Sequence, residues 1–395
     1  MGSPENHHYD GYESFEYLDA GEDFETFTLP DDYQWGDPYQ LELTEDEKQR
    51  VADVMAENIV FSLHDHPVYV PEDMAADFED YSSEGRLFTA YDALAESPLD
   101  GVFDNIGLSK GASRNGMKME DILYELGTRS TDIAHQDLLV KAGSVDDVRA
   151  AHETGQIAWV PAVETSRMIE NELDRIEILF GAGIRKLGIT YSESNALASG
   201  LGEKRDAGLT NFGERAVERM NDIGMAIGLS HSSDQTTLDV CEITEDPVFL
   251  SHNGTRALLD LPRLDPDEVL EAVADTGGVI GITAAPHNSA TYETPRHSIE
   301  SAMEHFEYIK DLVGIDHVSL GPDTMYGDHR GLHRLFGSGP PEGIENIEYV
   351  KGMDNPTEAW HNFVRYLVRE GYSDEAIEKV LGGNTLRALE TVWPA

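Results

Sequence analysis

The chain has a single cysteine and few basic residues. Cys241 is the only cysteine among 395 residues, which excludes an intrachain disulfide and a zinc site built from several thiolates. Lys and Arg number 28 against 76 Asp and Glu, giving a formal net charge of −48 at pH 7. A protein this acidic is repelled by nucleic acids and by anionic membrane surfaces, so we expect neither as a partner.

Long apolar runs are also missing. No stretch approaches the roughly 20 apolar residues of a membrane span. The sequence begins without the basic start and apolar run of a signal peptide, and it ends in ALETVWPA, without the apolar tail of a lipid anchor. We therefore expect a cytoplasmic protein.

The acidic excess predicts a solvated, negatively charged coat over the folded protein. At ordinary salt such a coat destabilises the fold by self-repulsion, whereas molar salt shortens the screening length to about 3 Å. A salt-rich cytoplasm is where this composition fits best. We therefore expect a halophilic, archaeal source.

The first part of the chain differs in composition from the rest. No Lys or Arg precedes Lys48, yet aromatic residues recur from Tyr9 to Tyr39. A plain disordered tail would contain few aromatics. We expect residues 1–43 to form an acidic N-terminal arm that lies on the body or on a partner subunit, and residues 44–395 to form a single domain.

That domain begins with a helix capped by Thr44 and Glu47, whose Thr-x-x-Glu spacing is that of a capping box. Eight apolar runs of strand length follow, mostly separated by helical patterns: IVFSLHDH, GVFDNIG, IAWVPAVE, GIRKLGITY, MAIGLSH, PVFLSH, GGVIGITAA and HVSLGPD. This alternation predicts an α/β fold, a (β/α)8 TIM-type barrel. The acidic residues 71–100 are expected to be irregular, and Asp265 is expected to cap a helix with Pro266 at its first position.

Metal-type ligands stand where several of these strands should end. They are His64, His66, Glu164, His231, His252 and Asp323. Because the functional groups of a barrel come from strand ends on one face, we expect these side chains to converge. Imidazole and carboxylate groups suit zinc or a similar borderline cation. Six such groups are enough for two metals.

Local geometry supports this interpretation. His64 and His66 are two residues apart, so both point to the same face of a strand, as two ligands of one metal must. Glu164 follows an apolar run, where a charged group needs a strong partner, and a carboxylate that bridges two cations has one at each oxygen. Asp323 ends the last strand, where it could hold a metal-bound water or carry its proton.

These motifs together resemble the membrane (renal) dipeptidase family, the zinc dipeptidases of the amidohydrolase-like barrels. In chain order the matching motifs are the LHDH of His64 and His66, the AVETS of Glu164, the GLSHSSDQTT of His231, the FLSHNGTRAL of His252 and the LGPDTMYG of Asp323. The resemblance covers residues from about 45 to the end of the chain. Each motif is short, but five in the same order are specific.

The resemblance implies a binuclear zinc dipeptidase that hydrolyses small dipeptide-like substrates with a metal-bridging water and holds two Zn²⁺ per chain. By correspondence, one metal is held by His64, His66 and Glu164, and the other by Glu164, His231 and His252. Glu164, as the bridging carboxylate, and Asp323, as the general acid/base, are the expected catalytic residues. Family members are often dimers, so a homodimer is expected.

Substrate contacts also follow from the resemblance. Arg263, in LPRLDPDE, corresponds to an Arg that holds the substrate carboxylate. Three positions depart from the family pattern: His66 replaces the Asp of the first motif, Thr165 and Ser166 replace two glycines, and Tyr191 stands where a substrate-contacting His is frequent. Tyr191 is therefore expected to contact substrate.

Other interpretations stay open at this point. Arg256, four residues after His252, either meets a carboxylate in the pocket or forms a structural salt bridge. The same metal-bearing barrel could hydrolyse another amide, a lactone or a modified amino acid. A non-catalytic binding protein on this fold is the third possibility, although a buried polar cluster without metal would be costly.

The charge of the chain generates a prediction about salt. The midpoint of thermal unfolding should rise steeply between about 0.1 M and molar KCl, because the screening length falls from about 10 Å to about 3 Å. Scanning fluorimetry across a KCl series measures it, with sucrose at matched osmolality as the control for solvent exclusion. A midpoint that rises no more in KCl than in sucrose would contradict destabilisation by self-repulsion.

Overall fold

Eight parallel strands form the centre of the structure, a computed structural model that describes residues 7–394 apart from 32, 34–37, 85, 108–116, 287, 337–342 and 346–348. In chain order they are β1 (Phe61–Asp65), β2 (Gly101–Asn105), β3 (Ile157–Val163), β4 (Lys186–Gly188), β5 (Ala226–Gly228), β6 (Val248–Asn253), β7 (Val279–Ile282) and β8 (Val318–Leu320). Each strand pairs in parallel with the next one in this order. A short strand, Leu139–Lys141, pairs with β3 outside this sequence of neighbours.

The first and last strands meet through the segments that follow them. The Asp323 N–H donates to the His64 carbonyl at 3.1 Å, and the His66 N–H donates to the Thr324 carbonyl at 3.0 Å. These bonds bring the end of β8 against the end of β1, so the sheet is a nearly closed barrel. The predicted (β/α)8 architecture is confirmed.

Helices surround the barrel. Their bounds are Glu45–Glu57, Met74–Glu84, Tyr91–Ala95, Met119–Ile133, Val145–Thr154, Asp174–Ala182, Asn211–Ile223, Asp234–Ile243, Asp267–Asp275, Ile299–Val313, His329–Phe336, Pro356–Arg369, Asp374–Glu378 and Asn384–Val392. Short 3₁₀ turns span Arg167–Ile169 and Ile315–His317, and a π-helical turn, Lys379–Gly383, joins the last two helices. Among the described residues, none of these helices is both long and apolar enough to cross a membrane.

One predicted cap is present and another is wrong. Thr44 accepts a hydrogen bond from the Glu47 N–H while the Glu47 carboxylate accepts one from the Thr44 N–H, which is the predicted capping box. At the later helix the N-cap is Pro266, not Asp265. Asp265 is buried, and its carboxylate accepts a hydrogen bond of 2.5 Å from Asn253 Nδ2. The Asp265 carboxylate therefore bonds to Asn253 on β6 instead of capping the helix as the local pattern predicted.

Residues 71–100 are not irregular, contrary to expectation. They contain helices Met74–Glu84 and Tyr91–Ala95, and Phe88–Thr89 pairs antiparallel with Val68–Tyr69. The acidic side chains of the first helix conceal its buried face, where Met74 and Tyr81 lie seven residues apart, two helical turns. This segment begins five residues after His66.

The described part of the N-terminal arm lies on the body of the same chain. Phe15 is fully buried, with ring centroids 5.5 Å from Phe24 and 5.7 Å from Phe88. Its backbone N–H donates to Asp132 at 2.7 Å, and the Tyr12 hydroxyl donates to the same carboxylate at 2.8 Å. The arm thus covers the segment that follows β1.

Aromatic rings fill the barrel below its carboxyl end. Phe103 lies 5.2 Å from Phe61 and 6.0 Å from Trp393, measured between ring centroids. Lys186 on β4 is also buried there, with its Nζ 4.6 Å from the centre of the Phe103 ring and donating to the Leu63 carbonyl at 2.8 Å. Burial lowers the pKa of Lys186 to about 7. Apart from Lys186, the residues named here are apolar, so the lower barrel is a packed core and leaves room for a site at the carboxyl end.

Candidate metal centre

All six predicted ligand residues meet at the carboxyl end of the barrel. His64 and His66 are at the end of β1, and His252 is near the end of β6. Glu164 follows β3, His231 follows β5 and Asp323 follows β8. Parallel strands present their carboxyl ends at one face of a barrel, so residues far apart in sequence converge there.

Glu164 and Asp323 each lie close to both histidines of β1 and to one histidine from another strand. Glu164 Oε1 lies 3.4 Å from His64 Nε2 and 3.6 Å from His66 Nε2, and its Oε2 lies 3.1 Å from His231 Nε2. Asp323 Oδ1 lies 3.2 Å and 3.4 Å from the same two β1 nitrogens, and its Oδ2 lies 3.9 Å from His252 Nε2. The two carboxylates therefore connect all four imidazoles.

This donor set fits a divalent cation. Ligand atoms of His64, Glu164 and His252 all lie within 4.8 Å of one another, as do those of His64, His66 and Asp323. Within the described part of the chain, His64 Nε2 is buried and has no hydrogen-bond partner, although it faces both carboxylates. Imidazole nitrogens and carboxylate oxygens that converge on one point are ligands that zinc takes in proteins.

The charges of the cluster keep its carboxylates ionised. Burial raises the pKa of Glu164, but His64 and His231 outweigh it and hold that pKa well below its usual value. Burial likewise raises the pKa of Asp323, and His252 and His64 hold it well below normal. Burial lowers the pKa of His66, yet its hydrogen bond to Asp323 and the charge of Glu164 raise it to about 9. Ionised carboxylates are the state that metal ligation requires.

Asp323 has a constrained backbone. Its φ is +60°, in the left-handed region that costs a non-glycine residue roughly 1–2 kcal/mol. Gly321, just before it, approaches β6 so closely that a Cβ would lie 1.8 Å from the Ser251 carbonyl oxygen. The Gly-Pro-Asp turn therefore depends on a glycine that allows the end of β8 to approach Ser251 on β6.

Asp65, between the two β1 ligands, holds this turn. Its Oδ1 accepts hydrogen bonds from the Thr324 N–H at 3.1 Å and the Thr324 hydroxyl at 2.9 Å. Its Oδ2 accepts one of 2.6 Å from the Ser62 hydroxyl. This role of Asp65 was not predicted from the sequence. The sequence does contain one signal for it, because side chains alternate along a strand. If residues 64 and 66 point to the centre, residue 65 points away from it, toward neighbouring structure.

The expected substrate-binding residues lie in different places. Arg263 is at the edge of the centre, where Nη1 donates to the Ser230 carbonyl at 2.9 Å and Nη2 donates to the His252 carbonyl at 2.7 Å. The exposed Tyr191 ring stacks on His231, with centroids 4.1 Å apart and planes 22° apart.

Arg256 forms a salt bridge with two hydrogen bonds. Its Nη1 and Nη2 donate to the Asp234 carboxylate at 2.7 Å and 3.0 Å. Asp234 is the first residue of helix Asp234–Ile243. Of the two interpretations left open, the structure favours the structural salt bridge, because the guanidinium connects the segment after β6 to the helix after β5.

With this geometry in place, comparison with known proteins identifies the family. The model of the membrane dipeptidase family, peptidase family M19, matches residues 48–394. The chain belongs to this family. Membership confirms the resemblance drawn from the motifs and supports a metal-dependent hydrolase.

Curated relatives include fungal and mammalian dipeptidases. Dipeptidase aclJ of Aspergillus oryzae is 28% identical over 260 residues, which are 65% of this chain and 57% of that protein. Dipeptidase 3 of Rattus norvegicus is 26% identical over 247 residues, 61% of this chain and 46% of that protein. The chain thus spans about half of the length of these relatives.

Solved structures show the same fold. An amidohydrolase from Pseudomonas aeruginosa has a TM-score of 0.71 at 22% identity, covering 87% of this chain and 99% of that one. A metallo peptidase from Rhodobacter sphaeroides, liganded with a phosphinate mimic of the dipeptide L-Ala-D-Ala, has a TM-score of 0.64 at 19% identity, covering 85% of this chain and 100% of that one. These likenesses establish the barrel.

The position of Asp65 generates a test. Asp65→Ala leaves the buried Thr324 donors unpaired and should lower the free energy of unfolding by about 3 kcal/mol, at roughly 1–3 kcal/mol per unpaired donor. Asp65→Asn keeps an oxygen for Thr324 and should cost less. Urea unfolding of the metal-free protein at constant high salt measures both, with the exposed Asp275→Ala as control. Equal stability of the alanine and asparagine variants would show that Asp65 does not hold the turn.

Proposed function

We propose that the protein is a binuclear zinc dipeptidase. The observation that carries the proposal is the arrangement of two carboxylates, each reaching both a β1 histidine and a histidine of a later strand, at the carboxyl end of the barrel. Membership of peptidase family M19 supports the peptidase chemistry. The dipeptide mimic bound by the Rhodobacter sphaeroides relative supports the substrate class.

In this proposal, His64, His66 and Glu164 hold one zinc ion, and Glu164, His231 and His252 hold the other. Glu164 suits the shared position because its two oxygens face different histidines, His64 and His231. When bound, the two cations polarise the scissile carbonyl and acidify the attacking water.

Asp323 carries the proton in this proposal. Its carboxylate is ionised, which is the form that can accept the proton that the attacking water loses. It then returns this proton to the leaving amine. The fixed left-handed turn, held by hydrogen bonds from both Asp323 and Thr324 to β1, keeps the carboxylate directed at the centre.

Arg263 and Tyr191 orient the substrate. The two Arg263 contacts with backbone carbonyls fix the guanidinium plane beside His252, and a guanidinium has five N–H donors. Its further donors suit the terminal carboxylate of a dipeptide. The exposed Tyr191 ring, stacked on His231, is placed to contact a substrate bound at the centre. Arg256 acts only indirectly, by holding Asp234.

The proposal is tested by zinc content and hydrolysis of a dipeptide panel in high salt. We expect two zinc ions per chain and turnover of at least one dipeptide. Asp323→Asn should lower kcat by about 10²–10⁴-fold, the usual contribution of a general acid/base. Asp316→Asn, which changes an exposed carboxylate before β8, is the matched control and should leave kcat unchanged.

Each other outcome separates the alternatives. Zinc-loaded protein that cleaves lactones or other amides but no dipeptide would show that the same centre hydrolyses a different type of bond. Zinc-loaded protein without any turnover would indicate a binding protein. Folded protein that takes up no divalent ion would contradict the proposal altogether.

The replacement of the family's Asp by His66 gives a second test. His66→Ala should lower zinc to one ion per chain, because one ligand of the first site is lost while His231 and His252 remain. His66→Asp should keep both ions, since zinc binds carboxylate oxygen and imidazole nitrogen at similar distances of about 2.0–2.2 Å. Zinc counted per chain after dialysis distinguishes them, with the exposed His135→Ala as control. Two tightly held ions in His66→Ala would refute the ligand assignment.

A further inference from the structure

Asn105 contacts both histidines of β1 from the neighbouring strand. It is the last residue of β2 and is buried, with 1% of its surface exposed. The preceding residue, Asp104, points elsewhere and accepts hydrogen bonds from Arg129 at 2.5 Å and from the Trp159 indole at 2.6 Å. These bonds anchor the end of β2, so Asn105 is held in a fixed position beside the centre.

The backbone of Asn105 orients His66. Its carbonyl oxygen lies 2.9 Å from His66 Nδ1. A carbonyl can only accept a hydrogen bond, so Nδ1 of a neutral His66 carries the proton. The other nitrogen, Nε2, faces Glu164 and Asp323, and it is the nitrogen that becomes free when a metal replaces the second proton of the ring. The β2 backbone thus selects the tautomer that leaves Nε2 available as a ligand.

The side chain of Asn105 meets the other β1 histidine. Its Nδ2 lies 2.9 Å from His64 Nδ1 and 3.3 Å from the Phe103 carbonyl. Ser251 is farther away, with its hydroxyl 3.5 Å from His64 Nδ1 and 3.1 Å from His252 Nδ1. Asn105 is therefore the nearer side-chain partner of His64 Nδ1.

An amide can serve either tautomer of His64. When Nδ2 faces Nδ1, the amide donates and the ring proton belongs on Nε2. When Oδ1 faces Nδ1, the amide accepts, and Nε2 is left unprotonated as metal ligation requires. Among the described residues, Asn105 Oδ1 and His64 Nε2 are both buried without a hydrogen-bond partner. With the amide oxygen toward His64 Nδ1, the ring proton stays on Nδ1 and Nε2 is free to bind a metal.

We propose that Asn105 is a positioning residue for zinc, fixing His66 through its carbonyl and His64 through its amide. The inference rests on the proposed binuclear function and assigns a residue outside the ligand set. It acts through the two histidines and does not touch the reacting atoms.

Zinc affinity of three variants tests the proposal. Asn105→Ala removes the amide but keeps the carbonyl, so His66 stays oriented and only His64 loses its partner. Loss of such a partner should weaken one zinc site by about 10–100-fold. Asn105→Asp, whose carboxylate can only accept, presets the metal-binding tautomer of His64 and should restore zinc affinity to the wild-type value or above. Competition with a chromophoric chelator measures the affinities of both sites.

A matched control separates positioning from general destabilisation. Asn384 is buried at the other end of the barrel, where its Nδ2 donates to the Ile315 and Val318 carbonyls. Asn384→Ala should lower the free energy of unfolding of the metal-free protein and leave both zinc affinities unchanged. The absorption spectrum of the cobalt-substituted protein should change in Asn105→Ala and not in Asn384→Ala.

The outcomes distinguish this inference from the proposed function. Wild-type protein that binds no zinc would end both. Wild-type protein with two zinc ions, together with Asn105→Ala that binds them equally tightly, would overturn the role of Asn105 alone. Asn105→Asp as weak as Asn105→Ala would overturn the tautomer argument. If the aspartate variant does not fold, the alanine variant and its cobalt spectrum decide the positioning role.

Discussion

The burial of two carboxylates among four imidazoles is the constraint on which the rest of the structure depends. A buried charge is costly unless it is paired, and Glu164 and Asp323 are paired only because five strands end at the same place. Glu164 and Asp323 raise the pKa of His66, so a proton on this ring can compensate part of their charge. A site that attracts protons this strongly also attracts divalent cations, since both respond to the same negative potential.

That constraint makes the contact between β1 and β8 the critical part of the barrel. His64 and His66 face the centre, and Asp65 between them holds Thr324 next to Asp323. One three-residue segment thus provides two proposed ligands and the support for the proposed proton carrier. The segment that follows it packs under the N-terminal arm, where Phe15 contacts Phe88. The arm lies outside the residues 48–394 matched by the family.

The sequence was sufficient to predict the barrel and the residues that converge, because both follow from local signals. Strand-length apolar runs predict strands, and polar residues at their ends must meet if the strands are parallel. The contacts of Asp65, Asn105 and Asp265 could not be predicted this way, since each depends on a partner from a distant strand or loop. Asp265 had a plausible local role as a cap, and a tertiary contact replaced it. The helix Met74–Glu84 was missed for a different reason, namely that its acidic residues outnumber its buried ones.

The acidic surface and the exchange of Asp for His66 have related physical consequences. A net charge of −48 attracts cations over long distances at low salt, but molar salt reduces the range of this attraction to about 3 Å. In such a medium a metal centre must retain its ions through direct bonds rather than through the field of the whole protein. The Asn105 carbonyl holds Nδ1 of His66, which leaves Nε2 directed at the centre. An imidazole oriented in this way can bind a metal without adding a buried negative charge. In the proposed centre, the β2 strand, which contacts both β1 histidines, therefore matters as much as the strands that carry the proposed ligands.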